Sequence, residues 1–126
     1  METLFDRLSL KATPPPEPFL LVRKDGKDVY SYVRLREYFP IIGLVSLAGL
    51  GETTLLLMPQ NQLVLATWDF ESNKPVLTVL PPPPEPIKLL AVDKDRYLLV
   101  TETNRHYVLA IKQRGWPRLV GPYLPK

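Results

Sequence analysis

The chain has 126 residues, the length of one domain, and it is 45% hydrophobic and 23% charged, a composition that excludes wholesale disorder. It has no cysteine and a single histidine, His106, which excludes disulfide scaffolds, thiolate chemistry and histidine-rich metal centres. The formal net charge of +3 comes from the C-terminal end, because residues 104–126 carry five basic residues and no acidic one. The 15 prolines, the missing cysteine and the few asparagines favour a heat-adapted chain.

The first residues predict neither a leader nor a membrane anchor. The N-terminus lacks the basic start and apolar stretch of a signal peptide. The longest weakly polar run, residues 39–51, is interrupted by proline and glycine and is shorter than the roughly 20 apolar residues of a spanning helix. We therefore expect an intracellular, cytoplasmic protein that does not contact a membrane.

Residues 1–18 are predicted to form an N-terminal arm with a proline-rich lead-in. Leu4, Phe5 and Leu8 have helical spacing, which favours a short helix or an ordered arm. The prolines within residues 14–18 then require an extended polyproline II conformation.

Residues 19–113 are predicted to form the all-β body of the protein. The Asp25-Gly26 pair favours a tight hairpin turn between strands at 19–22 and 28–38. Residues 41–50 fit either a buried strand or a short helix, since periodicity does not distinguish the two. Further strands are predicted at 53–58, 63–70, 76–80, 87–92, 96–101 and 107–111, and residues 114–126 should form a basic, irregular tail.

This pattern of short strands predicts a small barrel or a two-sheet sandwich built of antiparallel hairpins with proline-rich connectors. Strand–turn–strand repetition is also typical of β-propeller blades, but a closed propeller needs at least about four blades of four strands. The motif PPPEP at 14–18 recurs at 82–86, and the following Leu21, Val22 and Asp25 align with Leu89, Leu90 and Asp93. Either the β-units starting near 19 and 87 are duplicated, or two proline-led connectors coincide.

The predicted strand at 28–38 carries the most suggestive pattern of side chains. Because a strand alternates its faces, Val29, Ser31, Val33 and Leu35 should point toward the core. The opposite face is then aromatic and basic, and it consists of Tyr30, Tyr32, Arg34, Arg36 and Tyr38. Arg105, Tyr107, Arg114 and Trp116 would extend this surface if the C-terminal hairpin lies beside it, and the nucleic-acid interpretation adds Arg118.

Three interpretations of this face remain open. Tyrosine, tryptophan and arginine dominate the energetics of protein interfaces. The same residues stack on bases and meet phosphates in nucleic-acid-binding proteins. In the third interpretation the tyrosines are half-buried beneath loops and the arginines are merely solvated.

Catalytic patterns are weak, and the sequence predicts no catalytic, cofactor-binding or metal-binding residue. The glycine-containing segment 49–54 has Glu52 where a phosphate loop needs lysine. The paired carboxylates Asp93 and Asp95 lie in a predicted turn, where capping explains them, and His106 lacks the surroundings of a nucleophile's base.

We therefore expect a non-enzymatic interaction module without a cofactor: an accessory, regulatory or structural subunit. It would dock on a larger protein or self-assemble through the Tyr/Arg-rich face. The alternative is a nucleic-acid-binding β-barrel that uses the same face and the basic C-terminal segment.

Overall fold

Strands make up most of the computed structural model, which describes residues 17–24, 29–111 and 118–123. The described residues form an all-β, sandwich-like fold, which confirms the predicted class. The strands are β1 Phe19–Lys24, β2 Val29–Arg34, β3 Ser46–Leu50, β4 Thr53–Met58, β5 Gln62–Asp69, β6 Lys74–Val79, β7 Ile87–Asp93, β8 Arg96–Thr101, β9 His106–Ala110 and β10 Arg118–Tyr123. Two one-turn 3-10 helices, Leu35–Glu37 and Pro59–Asn61, complete the regular structure of these residues.

The strands form three antiparallel sheets that stack in chain order. The hairpin sheet is β1–β2, the middle sheet is the meander β3–β4–β5–β6, and the terminal sheet is the meander β7–β8–β9–β10. One hydrophobic core joins the hairpin sheet to the middle sheet, and a second joins the middle sheet to the terminal sheet. The first strands of the two meanders, β3 and β7, lie against each other, as in neighbouring propeller blades. Within the described ranges no sheet closes into a barrel.

The middle sheet is buried on both faces, and its sequence shows why. Successive side chains of a strand point to opposite faces, so a strand covered on both sides needs an uninterrupted apolar run. In β4, Leu55 and Leu57 pack toward the terminal sheet, whereas Leu56 packs toward Leu20 of the hairpin sheet. All four of these leucines are almost completely buried.

The strand predicted at 28–38 is shorter in the structure, because β2 ends at Arg34 and a 3-10 turn follows it. The amide of Leu35 still donates to the carbonyl of Pro18 at 2.9 Å, and the Leu35 side chain is fully buried. The amides of Tyr38 and Phe39 then both donate to the Leu35 carbonyl, at 3.0 and 2.9 Å, which turns the chain away from the strand direction. The prediction that Arg36 and Tyr38 continue a pleated strand is therefore wrong.

The segment 41–50, for which the sequence fits either a buried strand or a short helix, contains β3. The tail predicted to be irregular contains β10, which pairs with β9. The predicted N-terminal helix, the prolines up to Pro16 and the Asp25-Gly26 turn lie outside the described residues. In the part of the chain that is described, no helix has the length and apolar character needed to cross a membrane.

The second proline tract connects the middle sheet to the terminal sheet and is fixed at its end. Asn61, which has a positive φ of 60°, donates from its side-chain amide to the Glu85 carbonyl and accepts from the amide of Ile87, both at 2.8 Å. The Glu85 carboxylate accepts from the hydroxyl of Tyr107 at 2.8 Å and also faces Arg105. The hydrogen bond from Tyr107 is the main reason that the pKa of Glu85 lies below its ordinary value.

Replacing this carboxylate should make the stability of the protein depend differently on pH. A carboxyl group whose pKa is lowered on folding stabilises the native state above its unfolded-state pKa, and this contribution is lost as the pH falls through the folded-state pKa. We therefore expect Glu85→Gln to be less stable than the wild type near neutral pH, with a gap that closes in acid. Urea denaturation over a pH series measures the gap, and Glu102→Gln is the control. A gap that stays constant with pH would contradict the role given to Glu85.

Candidate binding surface

The outward side of the hairpin sheet is aromatic and basic, and we call it the hairpin face: Phe19, Arg23, Tyr30, Tyr32 and Arg34. Tyr32 is 71% exposed and Tyr30 is 41% exposed, and Arg34 is exposed as well. The alternating positions Ser31 and Val33 are partly buried on the inner side of β2. The pleat of β2 thus separates a side that packs on the middle sheet from a side that faces solvent.

Neighbouring side chains on β1 hold the rings of the hairpin face in place. The ring of Phe19 meets the ring of Tyr32 edge-on, with centroids 5.8 Å apart. The guanidinium carbon of Arg23 lies 5.2 Å from the centre of the Tyr30 ring, and the guanidinium also donates to the Tyr30 hydroxyl. Edge-to-face and cation–π contacts of this kind orient aromatic rings without burying them.

The arginines at the end of the hairpin sheet share one carboxylate. Glu17 lies 3.8 Å from the Nε of Arg34 and 3.2 Å from the Nε of Arg36. Arg36 also donates to the carbonyl of Ile41. Exposed ion pairs contribute at most about 1 kcal/mol to stability, so the main effect is to orient both guanidinium groups and to offset part of their charge.

The outer edge of β1 is capped by side chains of the middle sheet. The hydroxyl of Thr54 donates to the carbonyl of Phe19 at 2.7 Å, and the amide of Arg23 donates to the carboxylate of Glu52 at 3.2 Å. Phe19 and Arg23 therefore direct these backbone groups away from β2. Their partners in the register, Arg34 and Tyr30, must occupy the non-hydrogen-bonded positions of the β1–β2 pair.

The outer edge of β2 has no pairing strand among the described residues. Hydrogen-bonded positions alternate along an antiparallel pair, and the bond from Leu35 to Pro18 places Val33 and Ser31 in the positions that bond to β1. The backbone groups of Tyr30 and Tyr32 consequently point to the other side. Among the described residues, no strand pairs with that side of β2.

A cleft of about 560 Å³ lies beside β2, and its lining combines aromatic side chains with the polar residues Arg23, Ser31, Glu37 and Asn73. Tyr32 and Tyr38 stand on the hairpin side, and Trp68 and Phe70 approach from the end of β5. Phe70 is 65% exposed, whereas Trp68 packs partly into the core below the hairpin sheet. A smaller groove of about 380 Å³ shares Tyr38 with this cleft and is also lined by residues 74–77 of β6.

The structure therefore assembles part of the predicted set of site residues and adds two. It brings Tyr30, Tyr32 and Arg34 together on β2, with Arg36 and Tyr38 on the following turn. Trp68 and Phe70 were not predicted as site residues. They are two residues apart at the end of β5, so their side chains point to the same side of the strand. Only the packing of the hairpin sheet on the middle sheet brings them close to β2.

The remaining predicted residues belong to the other end of the chain. Arg105 lies in the turn before β9, where it faces Glu85 at 3.4 Å in the terminal sheet. Arg118 begins β10 opposite Ala110. Arg114 and Trp116 lie outside the described residues.

The shifted pKa values of Tyr97 and Asp69 are explained by burial in the core and by a hydrogen bond in a turn. Burial raises the pKa of Tyr97, whose hydroxyl lies 2.7 Å from the Thr53 hydroxyl inside the core. The hydroxyl of Ser72 donates to Asp69 at 2.6 Å in the β5–β6 turn and lowers the pKa of that carboxyl. The described part of the chain contains no group of three or more acidic or histidine side chains placed to hold a metal ion.

Comparison with known proteins leaves the surface to be interpreted from its own chemistry. No protein-family model, no curated protein and no solved structure matches the chain.

The exposed tyrosines should contribute little to folding, in contrast to the buried leucine beside them. We expect Tyr32→Ala and Tyr38→Ala to change the free energy of unfolding by no more than about 0.5 kcal/mol, because exposed side chains contribute little to native packing. Leu35→Ala should cost about 2–5 kcal/mol, because it opens a cavity in the core. Urea denaturation measures all three. If Tyr32→Ala costs as much as Leu35→Ala, the Tyr32 ring is part of the packing rather than a free contact surface.

Proposed function

We propose that the chain is a non-enzymatic protein-interaction module, an accessory or structural subunit that binds its partner through the hairpin face and the adjoining cleft. One observation carries the proposal: the exposed rings of Tyr32, Tyr38 and Phe70 surround a strand edge whose backbone groups are unpaired within the described residues. Exposed aromatic rings beside arginines are the residues from which energetic hot spots of interfaces are built.

The open edge of β2 favours a partner segment in extended conformation. Such a segment would add as a further strand, with its backbone bonded to the amides and carbonyls of Tyr30 and Tyr32. Its side chains would then alternate between solvent and the cleft that Trp68 and Phe70 line. Side chains at every second position that combine a ring with a polar group suit that cleft, because Arg23, Glu37 and Asn73 line it beside the rings.

The sequence of β2 is also unusual for an unprotected edge. Edge strands are commonly blunted by proline, lysine or a bulge, which prevents pairing with other chains. β2 reads VYSYVR and pairs with β1 in continuous register. It has no proline, lysine or bulge, and its one charged residue, Arg34, is the last of the strand. A strand of β-branched and aromatic residues at an edge is well suited to accept another strand.

The nucleic-acid alternative uses the same rings, but the charge around them favours a protein partner. Glu17 offsets part of the charge of Arg34 and Arg36, and Glu85 does the same for Arg105. Binding to a phosphate backbone depends on cations that replace condensed counterions. The carboxylates beside these arginines weaken the electrostatic attraction to phosphate. Ring stacking and strand addition then remain as the main sources of affinity.

Selection of peptides from a random library tests the proposal. We expect the selected peptides to bind the wild type and to lose about tenfold or more in affinity for Tyr32→Ala and Phe70→Ala, the size of an ordinary hot-spot effect. Tyr123→Ala, an exposed tyrosine on β10, is the matched control and should bind like the wild type.

The peptide backbone gives a second, sharper readout. Methylation of the peptide nitrogens at every second residue should abolish binding for one of the two alternating sets and spare the other, because only one set bonds to β2. Peptides that bind Tyr32→Ala and Phe70→Ala as tightly as the wild type, or that tolerate methylation at both sets, would reject this site.

The nucleic-acid alternative is tested by gel shift with single-stranded and duplex oligonucleotides at two salt concentrations. We expect no retarded band even at low salt. A band that appears at low salt, disappears as the salt is raised and weakens in Arg34→Ala would instead support phosphate-dominated binding.

A further inference from the structure

The outward side of the terminal sheet is apolar, and we call it the terminal face. Inward-pointing side chains of this sheet, such as Leu90 and Leu99, are buried against the middle sheet. The register then places the alternate positions on the outer side, in rows that cross the strands. The central positions of the terminal face are Leu89, Ala91, Leu98, Val100, Val108 and Val120.

Charge is almost absent from the centre of the terminal face. His106 and Tyr123 lie on one side of this centre. On the other side the register places Arg118 opposite Ala110 and Asp93 opposite Arg96, with the last two forming an ion pair 3.4 Å long. An antiparallel sheet with one face in water normally alternates apolar and polar residues. The terminal sheet departs from that pattern in the middle of its outer side, where Ala91, Leu98, Val108 and Val120 form one apolar row across the four strands.

The middle sheet supplies an internal comparison. Its strands β4 and β5 have the same two-sided apolar pattern, and both of its faces are covered by neighbouring sheets. The strands of the terminal sheet also have apolar residues on both faces, yet the described residues cover only one of these faces. On the other face, Leu89 is 50% exposed and Val120 is 45% exposed. Contiguous apolar patches of this kind mark interaction surfaces.

We infer that the terminal face binds the terminal face of a second copy of this chain, so that two sandwiches join sheet to sheet around a two-fold axis. The face is uncharged over its central rows, so its complement must be flat and apolar as well. The identical face of another copy has that chemistry and the same dimensions. An isologous contact of this type is the commonest way in which identical chains associate.

The size of the terminal face is sufficient for a reversible dimer. Four strands spaced about 4.8 Å apart, each with about five residues that rise about 3.4 Å, form a face of roughly 19 by 17 Å. Counting the relief of the side chains on both copies, the buried surface comes to roughly 1,000 Å², the lower limit for a specific interface. We therefore expect a dimer whose population depends on concentration.

The hairpin face is a poorer complement to the terminal face. It is two strands wide instead of four, and it carries Arg23 and Arg34. Packing those arginines on an apolar surface would remove charged groups from water, including the Glu17 carboxylate that faces Arg34, which is costly. Head-to-tail stacking of copies is therefore disfavoured relative to the two-fold arrangement.

Sedimentation velocity of the full chain from micromolar to millimolar concentration tests the inference. The wild type should sediment increasingly as a dimer, whereas Val108→Glu and Leu98→Glu, which place a charge in the centre of the terminal face, should remain monomers over the same range. Val79→Glu is the matched control, because Val79 is an exposed valine on β6 in the middle sheet. Circular dichroism of each variant establishes that it is folded.

Two results would overturn the inference. One is a wild type that is monomeric at every concentration, and the other is dissociation by Val79→Glu to the same extent as by Val108→Glu. Methyl NMR with a dissolved paramagnetic agent then shows whether another segment of the same chain covers the terminal face. Methyl groups of Val100 and Val108 that are protected in a monomer would assign the terminal face to another segment of the same chain. Peptide binding by the hairpin face is measured separately, so failure here leaves the proposed function standing.

Discussion

The structure depends on burying a sheet that is apolar on both faces. The leucines of β4 alternate between two cores, with Leu55 and Leu57 on one side and Leu56 on the other. Neither core exists without a covering layer, since an isolated sheet of this composition would leave one face in water. The hairpin sheet and the terminal sheet are those layers. Each therefore has an inner side fixed by the packing of the middle sheet and an outer side free to serve another purpose.

The hairpin sheet shows how a small element can separate these two roles. Leu20 and Val22 of β1 are buried against the middle sheet, and the pleat directs the rings of Tyr30 and Tyr32 outward from β2. The buried residues of the inner side thus fix the position of the hairpin sheet, and the residues of the outer side take no part in that packing. The same arrangement fixes the open edge, because the side chains of Thr54 and Glu52 cap β1 and leave β2 as the exposed strand.

Local patterns predicted the all-β class and most strands, and β4 and β8 were predicted with their observed bounds, 53–58 and 96–101. The features that local sequence patterns did not predict depend on contacts between residues that are distant along the chain. The turn after Arg34 forms because Leu35 is drawn into the core, and a strand pattern continues smoothly through that point. The cleft needs Trp68 and Phe70, which lie more than thirty residues from β2 along the chain. The pairing of Glu17 with Arg34 and Arg36 is likewise a consequence of folding.

The two outer surfaces of the stack differ in chemistry, and the different partners proposed for them follow from that difference. The hairpin face combines aromatic rings with oriented charges and unpaired backbone groups of the described strand β2. Such a surface is stable in water and suits a transient interface. The terminal face offers leucine, valine and alanine without polar groups at its centre, and contiguous apolar patches mark interaction surfaces. Because these surfaces lie at opposite ends of the three-sheet stack, joining two copies at the terminal faces leaves both hairpin faces free. A dimer of this kind would hold two strand-binding edges at a fixed separation, and a partner with two extended segments would gain affinity by effective concentration rather than by any new contact.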